Sequence, residues 1–527
     1  MNMLLLVGSI FAFSQPYSGE KLSRGLIGIP TEEGMYFSWR MTLEDAAGLQ
    51  FDLYRSSNGG AEVKLNKEPI DRTSDFLDRT VDYTVDNRWT LKATTGEVAT
   101  WTRLKGEERN PYLSIPICKP EDGEIAGEPF TYTANDCSVG DLDGDGEYEI
   151  ILKWSPSNSK RPPQRGFTGN TYLDAYKMDG TRLWRIDLGP NVRSGAATTN
   201  FLVFDFDGDG CAEICCKTGD GTVDGLGHRI GDAQVDWRTW DKKSPTYGKI
   251  VNGPEYLTVF EGRTGKELDS KEYIPTRYPL DGWGGVGGNC GNDNTGGRSD
   301  RFTAGVAFLD GKTPSPVMVR GWYGRTVVAA WTFTNGALKH TWTFDSAAPG
   351  WETYSGMGNH SVTVADFDGD GCDEICVGAM TVDHDGKGLF TTGLRHGDAL
   401  HAGRFIPSRQ GMQVFGVHEN EGDNEIVKRT PAVAMFDGAT GEIIWQDGLG
   451  QDAGRGVAAD IDPRYDGAEC WCNIGGLRRG DTGEISVIES LIPAILPFIG
   501  TPILWRNYWI MFPSVNGIGM RKVRIYY

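Results

Sequence analysis

The chain has 527 residues, more than one ordinary domain, so it holds two or more domains or one large repeat architecture. With 52 Lys and Arg against 72 Asp and Glu the net charge is −20, which argues against nucleic acid or an anionic membrane as partner. It leaves an acidic substrate open, because bound cations reverse the local sign, and 72 glycines with 16 tryptophans favour tight turns between short, aromatic-rich strands.

The first residues, MNMLLLVGSIFAFSQ, form a short apolar run that ends in the small-x-small sequence Ala12-Phe13-Ser14. Residues 1–14 read as a secretion leader, although the usual positive start is missing, and the expected location is extracellular. From 20 to 120 the chain runs through short strands, GLIGIP, MYFSWRM, FDLYRS and YLSIPI, broken by turns such as Asn58-Gly59-Gly60. No helix-length periodicity appears, and a small β-sandwich of immunoglobulin or fibronectin type is predicted.

Beyond residue 121 the pattern DxDGDGxxE occurs three times. Its carboxylates are Asp141, Asp143, Asp145 and Glu149, then Asp205, Asp207, Asp209 and Glu213, then Asp366, Asp368, Asp370 and Glu374. Ca²⁺ takes six to eight oxygen ligands at about 2.3–2.6 Å, and alternating acids on a Gly-permitted turn converge on such a point. Several bound Ca²⁺ ions are therefore expected, with a plain acidic turn as the bland alternative. Each copy leads into a β-rich run, EIILKW, EICCKT or EICVGAM, rather than a helix. Between the copies lie hairpins that carry Gly at the turn and often Trp after it: YLDAYKMDGTRLWRIDL, YLTVFEGRTGKELDSKEY, VAAWTFTNGALKHTWTF and VAMFDGATGEIIWQDGL. Acidic loop, buried strand and hairpin in repeated order predict an all-β chain with a calcium-binding β-propeller over 121–475, against unrelated hairpins in a sandwich. Ten cysteines suit an oxidising compartment without defining a disulfide framework. Cys211 with Cys215, and Cys372 with Cys376, leave pairing within a loop open; zinc is set aside for want of a Cys/His set that completes four ligands.

The strings VGDLDGDGEYEIILKWSPSNSK, FTGNTYLDAYKMDGTRLWRIDLG, FDFDGDGCAEICCKTGDGTVDG, MTVDHDGKGLFTTGLRHGDALH and GRGVAADIDPRYDGAE together resemble polysaccharide lyase family 11, the rhamnogalacturonan lyases, from about Glu20 to Trp471. The resemblance implies an N-terminal β-domain on an eight-bladed propeller with several Ca²⁺ ions, read here as a monomer. The implied substrate is an acidic plant cell-wall polysaccharide, the rhamnogalacturonan I backbone of pectin. The implied reaction is β-elimination at O4 of a galacturonic acid. Such a lyase must neutralise the uronate carboxylate, place a base at C5 and stabilise the enolate. Arg or Lys serves as that base only where neighbours depress its pKa.

By the same resemblance His360 and His396 fall at metal-ligand positions, with Asp383, Asp385 and Asp398 as neighbours. Arg455, between Gly454 and Gly456, falls at a catalytic or carboxylate-clamping position, and Asn135 and Ser155 at substrate-binding groove positions. Two departures weaken the match: KWSPSN puts Ser155 where the family has a carboxylate, and GAATTNF puts Ala197 where it has a His. From 476 to 527 the family pattern is lost. Pro493, Pro497, Pro502 and Pro513 break the apolar tail as a membrane helix. The tail reads as foreign, from a shifted frame or mis-spliced exon. The expectation is an incomplete propeller with exposed strand edges, lacking the last blades and a groove lysine. The alternative function is a non-catalytic, calcium-stabilised propeller of the integrin FG-GAP type, which has no use for His360, His396 and Arg455.

Overall fold

Alternation of apolar residues shapes the N-terminal unit. Met35 and Phe37, Phe51 and Leu53, and Trp89, Leu91 and Ala93 point inward from strands Met35–Ser38, Phe51–Ser57 and Asn87–Ala93 and form one buried core. A three-stranded antiparallel sheet (Ile27–Pro30, Met35–Ser38, Asp75–Asp78) and a four-stranded one (Val63–Lys64, Phe51–Ser57, Asn87–Ala93, Val98–Arg103) both supply it. The computed structural model describes residues 19–487, except 43–44, 111, 285–290, 292 and 420–426, and a ladder of Tyr508–Ser514 with Gly517–Val523. The leader at 1–14 and, apart from that ladder, the tail beyond 487 lie outside the described residues.

Six four-stranded antiparallel sheets follow in series, each built from four consecutive strands. Sheet I comprises Tyr132–Gly140, Glu149–Pro156, Tyr172–Tyr176 and Arg182–Asp187; sheet II comprises Phe201–Phe204, Glu213–Thr218, Tyr256–Phe260 and Glu267–Glu272. Sheet III comprises Phe302–Phe308, Pro314–Arg320, Val327–Thr334 and Ala337–Asp345; sheet IV comprises Thr363–Ala365, Glu374–Cys376, Met380–Val382 and Gly388–Thr391. Sheet V comprises Gly397–Gly403, Gln413–His418, Val433–Asp437 and Ile443–Asp447; sheet VI comprises Gly456–Ala459, Glu469–Cys472, Leu477–Arg479 and Ile485–Val487. The first strand of each sheet lies beside the first strand of the next. The apolar clusters are shared between successive sheets, as where Ile151 and Leu173 of sheet I pack with Ile214 and Phe260 of sheet II.

The repeat is held together by a device that the hairpin sequences encode. In sheets I, III and V the last strand carries Trp184, Trp342 or Trp445. Each indole N–H donates to a turn carbonyl of the following sheet, Gly262 (2.6 Å), His384 (2.9 Å) and Gly480 (2.7 Å). The ring then lies against a turn glycine at positive φ, Gly265, Gly386 or Gly483, where an added Cβ would sit 2.7–2.9 Å from the indole. Glycine is required there twice over, for the left-handed conformation of the bulged turn and for the close approach.

The structure revises the domain limit at 475. Sheet VI takes in Leu477–Arg479 and Ile485–Val487 around the turn Asp481-Thr482-Gly483, so the repeat continues to Val487. The same Gly-turned hairpin recurs there, but the apolar run after it masks the signal. Among the described residues nine cysteines are free thiols, so neither Cys211 with Cys215 nor Cys372 with Cys376 is paired.

Candidate active site

In every sheet the loops entering strand one and joining strands two and three lie at one end. The loops joining strands one and two, and the turns joining three and four, lie at the other. This separates two sets of polar residues.

At the first end, segments entering sheets IV, V and VI carry His360, His396 and Arg455. One donor atom each from His360, His396, Asp398 and Glu419 lies within 4.8 Å of the others. His396 is 2 % exposed, and its Nδ1 lies 2.7 Å from the Gly358 carbonyl oxygen. A carbonyl only accepts, so Nδ1 carries the proton and the Nε2 lone pair faces the cluster, 3.0 Å from Glu419 Oε2 and 3.9 Å from Asp398 Oδ1. Orientation of one ring nitrogen by a backbone carbonyl is how metal-ligating histidines are fixed. His360 Nε2 lies 3.5 Å from Asp398 Oδ1 and 3.3 Å from the Tyr323 hydroxyl. Burial, together with nearby Arg301, holds both imidazoles down to about 3, so they are neutral donors. Two neutral imidazoles and two carboxylates fit a divalent cation.

Positive charge surrounds this donor set. Arg455 Nη1 lies 3.4 Å from Asp398 Oδ2 with its side chain 43 % exposed. Arg298 and Arg301 stack over the Tyr323 ring at 4.4 and 4.8 Å, and that ring lies 4.2 Å from His396. Trp322 packs 4.7 Å from His360. Arg298, Arg301, Trp322, Tyr323 and Glu419 were not singled out in the sequence. The Trp-Tyr pair between Gly321 and Gly324, at the end of the buried strand Pro314–Arg320, was the available signal.

Of the residues named from sequence, His360, His396, Asp398 and Arg455 come together. Asp383 and Asp385 do not join them: they sit in the turn between strands three and four of sheet IV, at the opposite end, where Asp383 lies beside His384 and Asp385 pairs with Lys387. Strand Gly388–Thr391 carries the chain back towards His396, which is why proximity in sequence misled. Asn135 and Ser155 lie in sheet I, Ser155 opposite Thr133 and Asn135 in the bulge beside it. Ala197 contributes its backbone carbonyl to Phe302 N–H at 2.9 Å.

The acidic loops join strands one and two of sheets I, II and IV, at the far end from the histidines. Their sequence closes on itself in the same way each time. The first Asp accepts backbone N–H bonds from both glycines: Asp141 from Gly144 (2.7 Å) and Gly146 (2.9 Å), Asp205 from Gly208 and Gly210, Asp366 from Gly369 and Gly371. The closing Glu accepts from the second loop residue, as Glu213 does from Phe206 at 2.8 Å. These bonds aim the remaining oxygens inward.

The loops differ in fit to a cation. In sheet II, Asp205, Asp207, Asp209 and Glu213 all bring an oxygen within 4.8 Å of one another, and burial plus the neighbouring aspartates push the Glu213 carboxyl up to about 9. Such crowding fits Ca²⁺. In sheet I the ammonium of Lys177 reaches Asp143 at 2.7 Å and Asp145 at 3.1 Å, so this loop already holds a positive charge. Calcium should therefore raise the melting temperature through the sheet II loop. At a hundredfold excess over Kd the gain is about 2.7 kcal/mol, and Asp209→Asn should remove most of it in a thermal melt titrated with Ca²⁺.

Residues 112–499 match the family model described as Rhamnogalacturonan lyase family 11, C-terminal domain, and residues 17–104 match Rhamnogalacturonan I lyases beta-sheet domain. The chain is 49% identical over 454 residues to Rhamnogalacturonan exolyase YesX of Bacillus subtilis (strain 168), covering 86% of this chain and 70% of that protein. It is 46% identical over 460 residues to Rhamnogalacturonan endolyase YesW of the same organism, covering 86% and 69%. Among solved structures, rhamnogalacturonan lyase YesW superposes with TM-score 0.80 at 45% identity, covering 90% of this chain and 77% of that one. Bacillus licheniformis Rhamnogalacturonan Lyase PL11 does so with TM-score 0.80 at 49% identity and the same coverage.

Proposed function

The chain belongs to rhamnogalacturonan lyase family 11 and is a polysaccharide lyase, and from that premise we propose that it is a secreted, calcium-dependent enzyme that cleaves rhamnogalacturonan I by β-elimination. The observation that carries this reading is the convergence of His360, His396, Asp398, Glu419 and Arg455 at the strand ends opposite the acidic loops. Sheets I to VI are then six consecutive blades of the eight-bladed propeller that the family resemblance implies, and the acidic loops brace the blades. A binding-only propeller gives no account of the histidine and arginine cluster.

Elimination removes the C5 proton of a uronate to a base, forms the C4–C5 double bond and expels O4, which takes up a proton. The difficulty is charge, because the carbanion grows beside a carboxylate. A divalent cation bound by the two imidazoles and two carboxylates would neutralise that carboxylate and hold the enolate. Arg455 can grip the same group with its planar fork of donors, and its partial exposure leaves it accessible to a long chain. Trp322 packs against His360, whose side chain stays 35% exposed, and Tyr323 packs against the buried His396.

Removal of a charge-assisted hydrogen bond costs about 1.5–3 kcal/mol, so Arg455→Ala should lower kcat/KM about 10- to 100-fold, with Arg455→Lys in between. Steady-state kinetics on rhamnogalacturonan I measure this. Elimination itself is tested by mass spectrometry of the products. New non-reducing ends should carry an unsaturated uronate, one water lighter than a saturated one. Saturated new ends would identify a hydrolase and overturn the proposal.

A further inference from the structure

The third acidic loop differs from the other two in what faces it. The turn after strand Met380–Val382 carries Asp383 and His384, and the His384 carbonyl is fixed by the Trp342 indole at 2.9 Å. His384 Nδ1 lies 2.8 Å from Asp383 Oδ1 and 3.4 Å from Asp370 Oδ2. Glu374 is wholly buried. One of its oxygens accepts from Phe367 N–H at 2.7 Å, while Oε1 has no hydrogen-bond partner. An acceptor left unpaired in the interior costs about 1–3 kcal/mol, so the buried Glu374 Oε1 calls for a positive partner.

His384 belongs to two overlapping donor groups, one with Glu374 and Asp383 and one with Asp370 and Cys372, each with its donor atoms within 4.8 Å. The residue directly after strand three is Asp383 here, Lys177 in sheet I, where an ammonium fills the loop, and Glu261 in sheet II, where the grouped donors are oxygens. In the third loop an imidazole and a thiol share one donor group, whereas in sheet II the matching Cys211 accepts from the Arg263 guanidinium at 3.3 Å. Calcium is a hard ion that favours oxygen ligands, whereas a thiolate sulfur shifts the preference towards borderline divalent ions of the zinc class. The sequence alone sets zinc aside because no nearby Cys/His set completes four ligands. The fold brings His384 of the next turn to Cys372 and Asp370.

We propose that the third acidic loop and the Asp383–His384 turn form a mixed nitrogen, oxygen and sulfur site for a zinc-class divalent cation, held by His384, Cys372 and the Asp370 carboxylate, with Glu374 and Asp383 against His384 in the adjoining donor group. It lies at the opposite end of sheet IV from His360 and His396 and acts as a structural clasp between the loop and the hairpin of one sheet.

Cobalt(II) is the probe, because a cysteine ligand gives it a near-ultraviolet sulfur-to-metal charge-transfer band. Metal-free, reduced protein is titrated with cobalt in millimolar calcium. The expected result is a charge-transfer band that zinc bleaches and calcium does not. Cys372→Ser should abolish the band, and His384→Gln should weaken the affinity about tenfold or more. Both variants should keep the melting-temperature rise that calcium gives through the sheet II loop. Absence of the band in the wild type, its persistence in Cys372→Ser, unchanged affinity in His384→Gln, or its displacement by calcium would each overturn the proposal. Should His384→Gln fail to fold, the partly exposed Cys372→Ser decides alone.

Discussion

Replacement of His396 by glutamine is expected to lower kcat on rhamnogalacturonan I about 10²–10³-fold, the loss seen when one preorganised group that stabilises developing charge is removed. The cause is the tautomer. With Nδ1–H committed to the Gly358 carbonyl, Nε2 is a fixed lone pair between Asp398 and Glu419, and glutamine cannot present an equivalent nitrogen. Glutamine keeps much of the volume against Tyr323, so the melting temperature should change far less than the rate. Initial rates with a thermal melt on the same sample measure both. A variant within tenfold of the wild type would remove His396 from the catalytic cluster.

The second large effect concerns stability. Glu255 opens the third strand of sheet II and is buried among cations. Its carboxylate lies 2.7 Å from Arg320 Nη1, 2.9 Å from Arg277 Nη2 and 3.4 Å from Lys217 Nζ. Lys217 belongs to sheet II and Arg320 to sheet III, so the cluster joins two sheets. Burial alone would raise the Glu255 pKa, but Arg320, Arg277 and Lys217 prevail and hold the carboxyl far below the usual range. Glu255→Gln leaves those cations without their common partner, and loss of one member of a buried ion pair costs about 3–5 kcal/mol. The urea midpoint should fall accordingly. A folded-state pKa below the unfolded one gives stability that is present above about pH 4.3 and is lost as pH falls towards the folded value. The variant should therefore show a flatter acid limb than the wild type. A shift in midpoint worth under about 1 kcal/mol would contradict this account of the cluster.

What the sequence made legible was local. The acidic loops are legible as closed turns because nine residues contain their own hydrogen bonds, from both glycines to the first Asp and from the second residue to the last Glu. The hairpins are legible for the same reason, since a Gly turn and the strands beside it lie within one short window. His360, His396 and Arg455 stood out in Gly-rich contexts and do converge. Tyr323 and Arg301 reach the same place from loops of sheet III and Glu419 from a second loop of sheet V, and no short window holds them together. Asp383 and Asp385 went to the wrong cluster because a four-residue strand, about 13 Å long, separates their turn from the histidine end. Lys177 shows the same limit. Three loops of one motif looked equivalent until the neighbouring strand set an ammonium in one and an imidazole beside another.

The central claim is calcium-dependent elimination, and the most direct measurement is the ultraviolet absorbance of the unsaturated uronate while the protein acts on rhamnogalacturonan I. It is followed before a chelator, after it, and once calcium is restored. The account predicts a rise that stops on chelation and resumes with calcium. No rise from folded protein supplied with calcium, or a rise indifferent to chelation, would contradict it.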